Sequence, residues 1–219
     1  MMRNSNGMGR GLLIAALVVA GLALAIPAYA DSFDFTSDHC TGGCGDPGTI
    51  FGTVELIQNG TTVDVTVDLA DGYSFAKTGS ADDQAFKFNA TGVVLGDITV
   101  DQTVLGQTLA ATTGALNGDG TGNFSFGIEC TTCGGGGSDA FTDNIVFHVA
   151  DATIADLTAP NNLGNLFVAD VLAPNENTGP VDVSGPGVPT PEPASLLLLG
   201  AGLAGIGLSQ WKRRKAGQA

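Results

Sequence analysis

A strict alternation of apolar and polar residues between positions 62 and 69 is the feature that most restricts the fold of this chain. The residues on one side of an extended strand here are Val63, Val65, Val67 and Leu69. A period of two residues buries one face of a β-strand and leaves the other face in water. Asn59-Gly60 separates this run from a second strand-like run at 49–58, which predicts a hairpin with a type I′ turn.

Short alternating runs recur through the rest of the chain up to residue 172. Further strands are predicted at 84–90, 97–100, 108–116, 122–130, 144–154 and 165–172, with a short first strand around Phe33 and Phe35. No stretch between 31 and 190 has a helical period. Many short strands separated by turns predict an all-β fold, an antiparallel β-sandwich of the jelly-roll type. The phenylalanines that alternate inward are expected to form its core.

The N-terminal segment has the three parts of a secretory signal peptide. Arg3 and Arg10 precede an apolar stretch at 11–26, which leads into Pro27-Ala28-Tyr29-Ala30. Small residues at Ala28 and Ala30 match the A-x-A pattern of a cleavage site. The sequence therefore predicts a signal peptide at 1–30 and a mature N terminus at Asp31, and the A-x-A pattern argues against an uncleaved anchor.

The C-terminal segment also has three ordered parts. Pro191-Glu192-Pro193 is followed by an uncharged stretch at 194–211 and by the basic cluster Lys212-Arg213-Arg214-Lys215. At about 1.5 Å per residue the uncharged stretch spans roughly 27 Å of helix, close to the ~30 Å of a bilayer core. A transmembrane helix is predicted there, with the basic residues on the cytoplasmic side.

The order of these parts resembles the PEP-CTERM sorting signal, with Pro191, Glu192 and Pro193 as its signature, over residues 188–215. The resemblance implies recognition of the 191–215 tail by an exosortase-type membrane protease. It further implies a transient inner-membrane anchor and export to the surface or extracellular matrix of a Gram-negative-type bacterium. Proteins of this kind are associated with exopolysaccharide production and biofilm, so the resemblance also implies a matrix role and exopolysaccharide as a partner.

The segment between the two hydrophobic ends is strongly acidic. Residues 31–190 hold two lysines and no arginine against 21 carboxylates, a formal net charge of −19. Binding to nucleic acid requires lysine and arginine, so this composition argues against nucleic acid as a partner. An ectodomain is predicted at 31–172, and the Pro-, Asn- and Gly-rich stretch at 173–190 is predicted to be an extended spacer.

Four cysteines form two close pairs, Cys40 with Cys44 and Cys130 with Cys133, and both pairs lie beside glycines. Behind a signal peptide an even number of cysteines predicts two disulfides. Three pairings are open; crossed bridges would close loops of about 90 residues and stabilise the fold by ~4 kcal/mol. A four-cysteine zinc site with His39 as a further ligand is less favoured, because oxidation competes for the thiols. A thioredoxin-like role is less favoured still, since glycines follow Cys133.

The segment 117–123 contains the one candidate metal site outside the cysteines. Asn117, Asp119 and Thr121 place oxygen atoms at alternate positions, as in the first half of a calcium loop. The glutamate expected at the twelfth position is replaced by Ile128, so a polar hairpin turn is favoured over a calcium site. No other cofactor is predicted, and Asp82-Asp83 is interpreted as a solvated turn.

Catalysis is not predicted. His39 and His148 are the two histidines, and His148 is out of phase with Phe147 and Val149, as expected of a surface or satisfied histidine. Sugar subsites are usually built on exposed aromatic side chains, yet residues 31–190 contain no tryptophan and a single tyrosine, Tyr73. The prediction is a non-enzymatic surface or matrix protein. The alternative is a calcium- or polysaccharide-binding module, and a secreted hydrolase is a distant third.

Overall fold

The computed structural model describes residues 29–78, 83–184 and 188–189. The strands of this part are β1 (Ala30–Phe35), β2 (Ser37–Asp38), β3 (Gly52–Asn59), β4 (Thr62–Leu69), β5 (Ser74–Phe75), β6 (Gln84–Phe88), β7 (Ile98–Val100), β8 (Leu109–Asn117), β9 (Asn123–Cys130), β10 (Ile145–Val149), β11 (Asn165–Leu172), β12 (Thr178–Ser184) and β13 (Val188–Pro189). A 3₁₀ turn at Leu95–Asp97 and a single-turn helix α1 at Ile154–Leu157 complete the described elements.

The strands form two antiparallel sheets. Sheet A has the order β13-β1-β3-β4-β10-β7, and sheet B has the order β2-β12-β11-β6-β9-β8, with β5 added beside β11. Each strand predicted between residues 49 and 172 overlaps a strand of the structure. The expected all-β fold with antiparallel sheets is confirmed. The jelly-roll type of β-sandwich stays a prediction.

The hairpin between β3 and β4 forms where it was predicted but turns one residue later. Asn59 pairs with Thr62, which leaves Gly60 and Thr61 as the two loop residues. Among the loop residues Gly60 alone has a positive φ, of 64°. A type I′ turn requires positive φ at both loop residues, whereas a type II′ turn has glycine at the first. The predicted I′ turn centred on Asn59-Gly60 was therefore wrong in type and position.

The strand predicted at 144–154 ends at Val149, because the chain turns directly after it. Asp151 has a φ of 50°, a left-handed conformation that interrupts a strand. The next residues start α1, whose first turn is closed by a capping box: the Asp156 carboxylate accepts hydrogen bonds from the Thr153 amide at 2.8 Å and hydroxyl at 2.6 Å. These hydrogen bonds lower the pKa of Asp156.

The predicted spacer at 173–190 requires the largest correction. Residues 178–184 form β12, which lies between β11 and β2 inside sheet B. Val181 and Val183 are buried in the core, and Asp182 is buried as well. Only Pro174, Asn175 and Asn177 of this Pro-, Asn- and Gly-rich stretch lie in the tight turn at 173–177 that returns the chain from β11, whereas Gly179 and Pro180 are part of β12 itself. The folded part consequently extends beyond Leu172, to β13.

The core consists largely of phenylalanine side chains contributed by both sheets. All eleven phenylalanines are buried, as predicted. Phe33 on sheet A lies 5.2 Å from Phe167 on sheet B, and Phe147 on sheet A lies 5.2 Å from Phe88 on sheet B, measured between ring centroids. Such ring pairs contribute about 0.5–1.5 kcal/mol each beyond their buried area. The buried faces of the two sheets are therefore in direct contact.

Candidate functional sites

The segment that precedes the predicted sorting signal is part of the fold. Strand β13 pairs with Asp31 and Ser32 at the start of β1, on the edge of sheet A. Asp31, the predicted mature N terminus, thus lies opposite Pro189. Thr190 alone separates β13 from Pro191. The tail follows the folded domain directly, without a long linker.

Several predicted sequence signals lie outside the described residues. These are residues 1–28 of the signal peptide, including Ala28, and the tail from Pro191 onward with its transmembrane helix at 194–211. Ala30 is described and begins β1, so cleavage after it would leave the strand from Asp31 onward. Within the described part of the chain, no helix has the length and apolar character needed to cross a membrane.

Both cysteine pairs form local disulfides. Cys40 is bonded to Cys44, and Cys130 to Cys133, with Cα–Cα distances of 5.5 and 5.4 Å. Neither crossed pairing occurs, and all four cysteines are paired. Asp38 accepts hydrogen bonds from the amides of Cys40 and Cys44 at 2.8 and 2.7 Å, which closes the first loop. Within each pair the two sulfur atoms are bonded to each other, so none of the four is available as a zinc-binding thiolate.

His39 contacts a buried carboxylate instead of the cysteines. Its Nε2 atom lies 3.0 Å from Asp182 Oδ2 and 3.0 Å from the Ser37 hydroxyl. Burial raises the pKa of Asp182, and the neighbouring His39 opposes this shift. The Asp182 Oδ1 atom is buried and has no hydrogen-bond partner. His39 also lines an open cavity of about 430 Å³ together with Thr41, Thr78 and Glu176.

His148 is engaged by two carboxylates on the open face of sheet A. Its Nδ1 atom lies 2.7 Å from Asp64 Oδ1, and its Nε2 atom lies 3.4 Å from Asp101 Oδ2. The hydrogen bond to Asp64 is the main cause that raises the pKa of His148; partial burial opposes it and Asp101 adds to it. The side chain is 37% exposed, as expected for an out-of-phase position on β10. The prediction of a surface or satisfied histidine is confirmed.

The candidate calcium loop forms a compact hairpin turn between β8 and β9. The Thr121 side chain is buried, and its hydroxyl donates to the Gly118 carbonyl at 2.6 Å. Asn117 and Asp119 contact each other at 3.2 Å, and the Gly118 amide donates to the Gly122 carbonyl at 2.8 Å. The Asn117, Asp119 and Thr121 side chains thus stabilise the turn itself, in agreement with the favoured interpretation of this segment.

The Asp82-Asp83 segment, interpreted from the sequence as a solvated turn, is described only in part. Asp83 forms an ion pair with Lys77, and Asp82 lies outside the described residues.

Sequence reasoning missed a buried ion pair in sheet B. Lys87 Nζ lies 2.7 Å from Asp170 Oδ2, and both side chains are fully buried. Lys87 is on β6 between Phe86 and Phe88, and its alternation with them places it on the opposite face of the sheet. That position predicts a solvent-exposed lysine. No sequence signal shows that this face is covered.

Comparison with known proteins identifies a sorting motif in the tail. The sequence model of the PEP-CTERM protein-sorting motif matches residues 189–214. No curated protein and no solved structure matches the chain. The matched residues begin within β13, at the end of the folded domain. The chain therefore carries a PEP-CTERM protein-sorting motif, and it is an exported protein that exosortase-type machinery processes for sorting to the cell surface.

Proposed function

We propose that the folded domain is a non-enzymatic structural component of the cell surface or the exopolysaccharide-containing biofilm matrix. We expect its two contacting sheets to be the layers of a β-sandwich, and a structural role requires only that such a domain be stable and soluble. The observation that carries the proposal is the continuity between the folded domain and the sorting motif, which starts at Pro189 within β13. A domain joined so closely to its sorting signal is delivered to the surface as one folded unit.

The arrangement of the polar side chains supports a structural role. His39 and His148 each contact carboxylates, and the His148 side chain is 37% exposed. Tyr73 is buried and its hydroxyl donates to the Cys44 carbonyl at 3.0 Å, so its ring is not presented to a sugar. Tyr29 is exposed, but cleavage after Ala30 would remove it. Within residues 31–78, 83–184 and 188–189, no exposed aromatic side chain offers the kind of platform on which sugar subsites are usually built.

A binding function is the second candidate, because the cavity beside His39 and Glu176 is open and polar. A cavity of this kind fits a small polar ligand or a hydrated cation better than an apolar one. A glycan array probed with and without calcium separates the two proposals. Saturable binding would favour a binding module, and uniformly weak signals would favour a structural protein.

Sorting is tested by substituting the central residue of the signature. We expect Glu192→Ala, or deletion of 194–215, to abolish processing and surface display, because the exosortase-type enzyme recognises this tail. Glu55→Ala, an exposed glutamate on β3, is the matched control and should be displayed normally. Surface fractions are quantified by immunoblot and the mature C terminus by mass spectrometry. A surface form that still carries Trp211–Ala219 would contradict the proposal.

The matrix role needs a separate measurement in the host. Deletion of the gene should reduce the polysaccharide retained in biofilms, and re-expression of the wild-type chain should restore it. The Glu192→Ala chain should fail to restore it, because that protein would not reach the surface. Normal biofilm without the protein would contradict the matrix role and leave the sorting result unaffected.

A further inference from the structure

Strand β8 forms an open edge of sheet B. It is nine residues long and hydrogen-bonds to β9 on one side, and it ends the strand order of that sheet. Thr113, Gly114 and Ala115 on this strand are exposed. The other edge strands described, β2, β7 and β13, are only two or three residues long. Short edges are a common protection against pairing with other chains, and β8 lacks that protection.

The β8 edge is also uncharged. The 17 residues from Gln102 to Gly118 contain no aspartate, glutamate, lysine or arginine, and Asp101 and Asp119 mark the ends of this stretch. In a region with a formal charge of −19 such a stretch is the part of the surface where two copies approach with the least repulsion. Charged side chains on an edge are the second common protection against pairing, and they are missing here as well.

Backbone hydrogen-bonding groups are available on this edge. The Gln102 side chain covers the outward groups of Leu109: its amide donates to the Leu109 carbonyl at 2.8 Å, and its carbonyl accepts from the Leu109 amide at 3.1 Å. In an antiparallel ladder the outward-facing residues alternate. Ala111 and Thr113 therefore present their N–H and C=O groups outward, and within the described residues β8 pairs with no strand on that side.

Exposed apolar side chains flank the same edge. Val94 and Leu95 are 62% and 40% exposed, and the 3₁₀ turn that begins at Leu95 contacts β8. Leu105, in the connection that leads into β8, is 90% exposed. These are three of the six large hydrophobic side chains that are exposed among the described residues. Burial of such side chains would add a hydrophobic contribution to pairing along the strand.

We propose that two copies of this chain pair through β8 in an antiparallel, two-fold arrangement centred on Thr112. In this register Ala111 of each copy faces Thr113 of the other, and each such pair exchanges two N–H···O hydrogen bonds. Thr112 faces Thr112 in the non-hydrogen-bonded position between them, where cross-strand threonine pairs are favourable. A second copy is the occupant because its edge is equally uncharged and a two-fold contact needs only one self-complementary strand.

Cysteine cross-linking tests this register directly. In the non-hydrogen-bonded position opposing Cα atoms are about 4.5 Å apart, which a disulfide can bridge. Native cysteines do not interfere, because all four are in disulfides. The full chain carrying Thr112→Cys, oxidised mildly in membranes, should give a disulfide-linked homodimer on a non-reducing gel. Thr99→Cys on β7, the edge strand of sheet A, is the matched control and should stay monomeric.

Three outcomes would overturn the proposal: no cross-link at Thr112→Cys, equal yields from both variants, or a cross-link to a different protein. Association through the membrane segment would not produce the Thr112 link selectively. A second variant, Thr112→Asp, places two carboxylates face to face at the two-fold axis. Light scattering on the full chain in detergent should show a shift towards monomer for Thr112→Asp and none for Thr99→Asp. An unchanged mass for Thr112→Asp would also overturn the proposal.

Discussion

Lys87 and Asp170 form an ion pair from which water is excluded, 2.7 Å apart and with both side chains fully buried. Taking two charges out of water costs several kcal/mol per ion, and close contact between them offsets that cost. Removal of one partner leaves the other charge buried, and this is usually more destabilising than replacing both. Lys77 and Asp83 form the contrasting pair, with side chains 25% and 48% exposed.

The first residue-scale prediction concerns these two pairs. We expect Lys87→Met to lower the free energy of unfolding by about 3 kcal/mol or more, because the Asp170 charge stays buried. The double variant Lys87→Met/Asp170→Leu should recover part of that loss. The control Lys77→Met should cost less than about 1 kcal/mol, as for surface pairs. Urea unfolding of the wild-type protein and the three variants gives the four free energies of unfolding. Equal losses of stability in Lys87→Met and Lys77→Met would contradict the prediction.

The second residue-scale prediction concerns pH. The pKa of His148 is raised above its ordinary value of 6.5, mainly by the hydrogen bond to Asp64. A raised folded-state pKa means that protonated His148 stabilises the fold below about pH 6.5, and that this contribution disappears as pH rises through the folded-state pKa. His148→Gln should therefore destabilise the protein at pH 5.5 more than at pH 8.5. The urea unfolding midpoints of the wild type and the variant at the two pH values measure this difference. An equal loss of stability at both pH values would contradict the assigned direction of the pKa shift.

At the scale of elements, β12 decides where the folded domain ends. It pairs with β11 over seven residues and also with β2, so it holds an interior position in sheet B. Its buried Val181 and Val183 belong to the common core. Loss of this strand would expose one side of β11 and remove the connection that carries the chain to β13.

The element-scale prediction compares two truncations. A chain of residues 31–172 should show no cooperative unfolding transition, because β11 loses its pairing with β12 over seven residues and the core loses two buried valines. A chain of residues 31–190 retains β12 and β13 and should unfold cooperatively in urea. Circular dichroism and the slope of the transition measure the difference. Cooperative unfolding of the shorter chain would mean that residues 173–190 are a spacer after all.

At the scale of the whole molecule, the charge of −19 on residues 31–190 acts against compactness. Like charges at this density repel one another in the folded state, and salt reduces the repulsion with a Debye length of about 10 Å at 0.1 M. Because Lys87 is buried, the surface has little positive charge to balance the carboxylates. The stability of the protein should therefore depend on ionic strength.

The whole-molecule prediction is that sodium chloride raises the melting temperature of residues 31–190 between about 10 mM and 0.3 M. Calcium at matched ionic strength tests for a specific site, since an ion that binds only the native state stabilises it further. If the 117–123 loop is that site, Asp119→Ala removes the additional shift. A melting temperature that does not change with sodium chloride would contradict the role assigned to charge repulsion.

The sequence by itself determined the features that depend on near neighbours along the chain. Alternation at 62–69 specified a strand with one buried face, and the buried Val63, Val65 and Val67 confirm it. Phenylalanines at alternating positions specified the core. The sorting signal in the tail could be predicted because its proline motif, the length of its apolar stretch and its basic end are all local properties of the sequence. The match at 189–214 confirms the motif.

Only the tertiary structure decided the features that depend on distant segments. The Thr178–Ser184 segment looks like a spacer until β11 supplies its hydrogen-bond partners. Lys87 looks exposed until its ion pair with Asp170, far along the chain, shows that this face is covered. The less favoured zinc site would have placed His39 beside the cysteines, whereas β12 brings Asp182 to it. The physical reason is that burial and pairing are properties of the assembled sheet, whereas periodicity is a property of the strand alone.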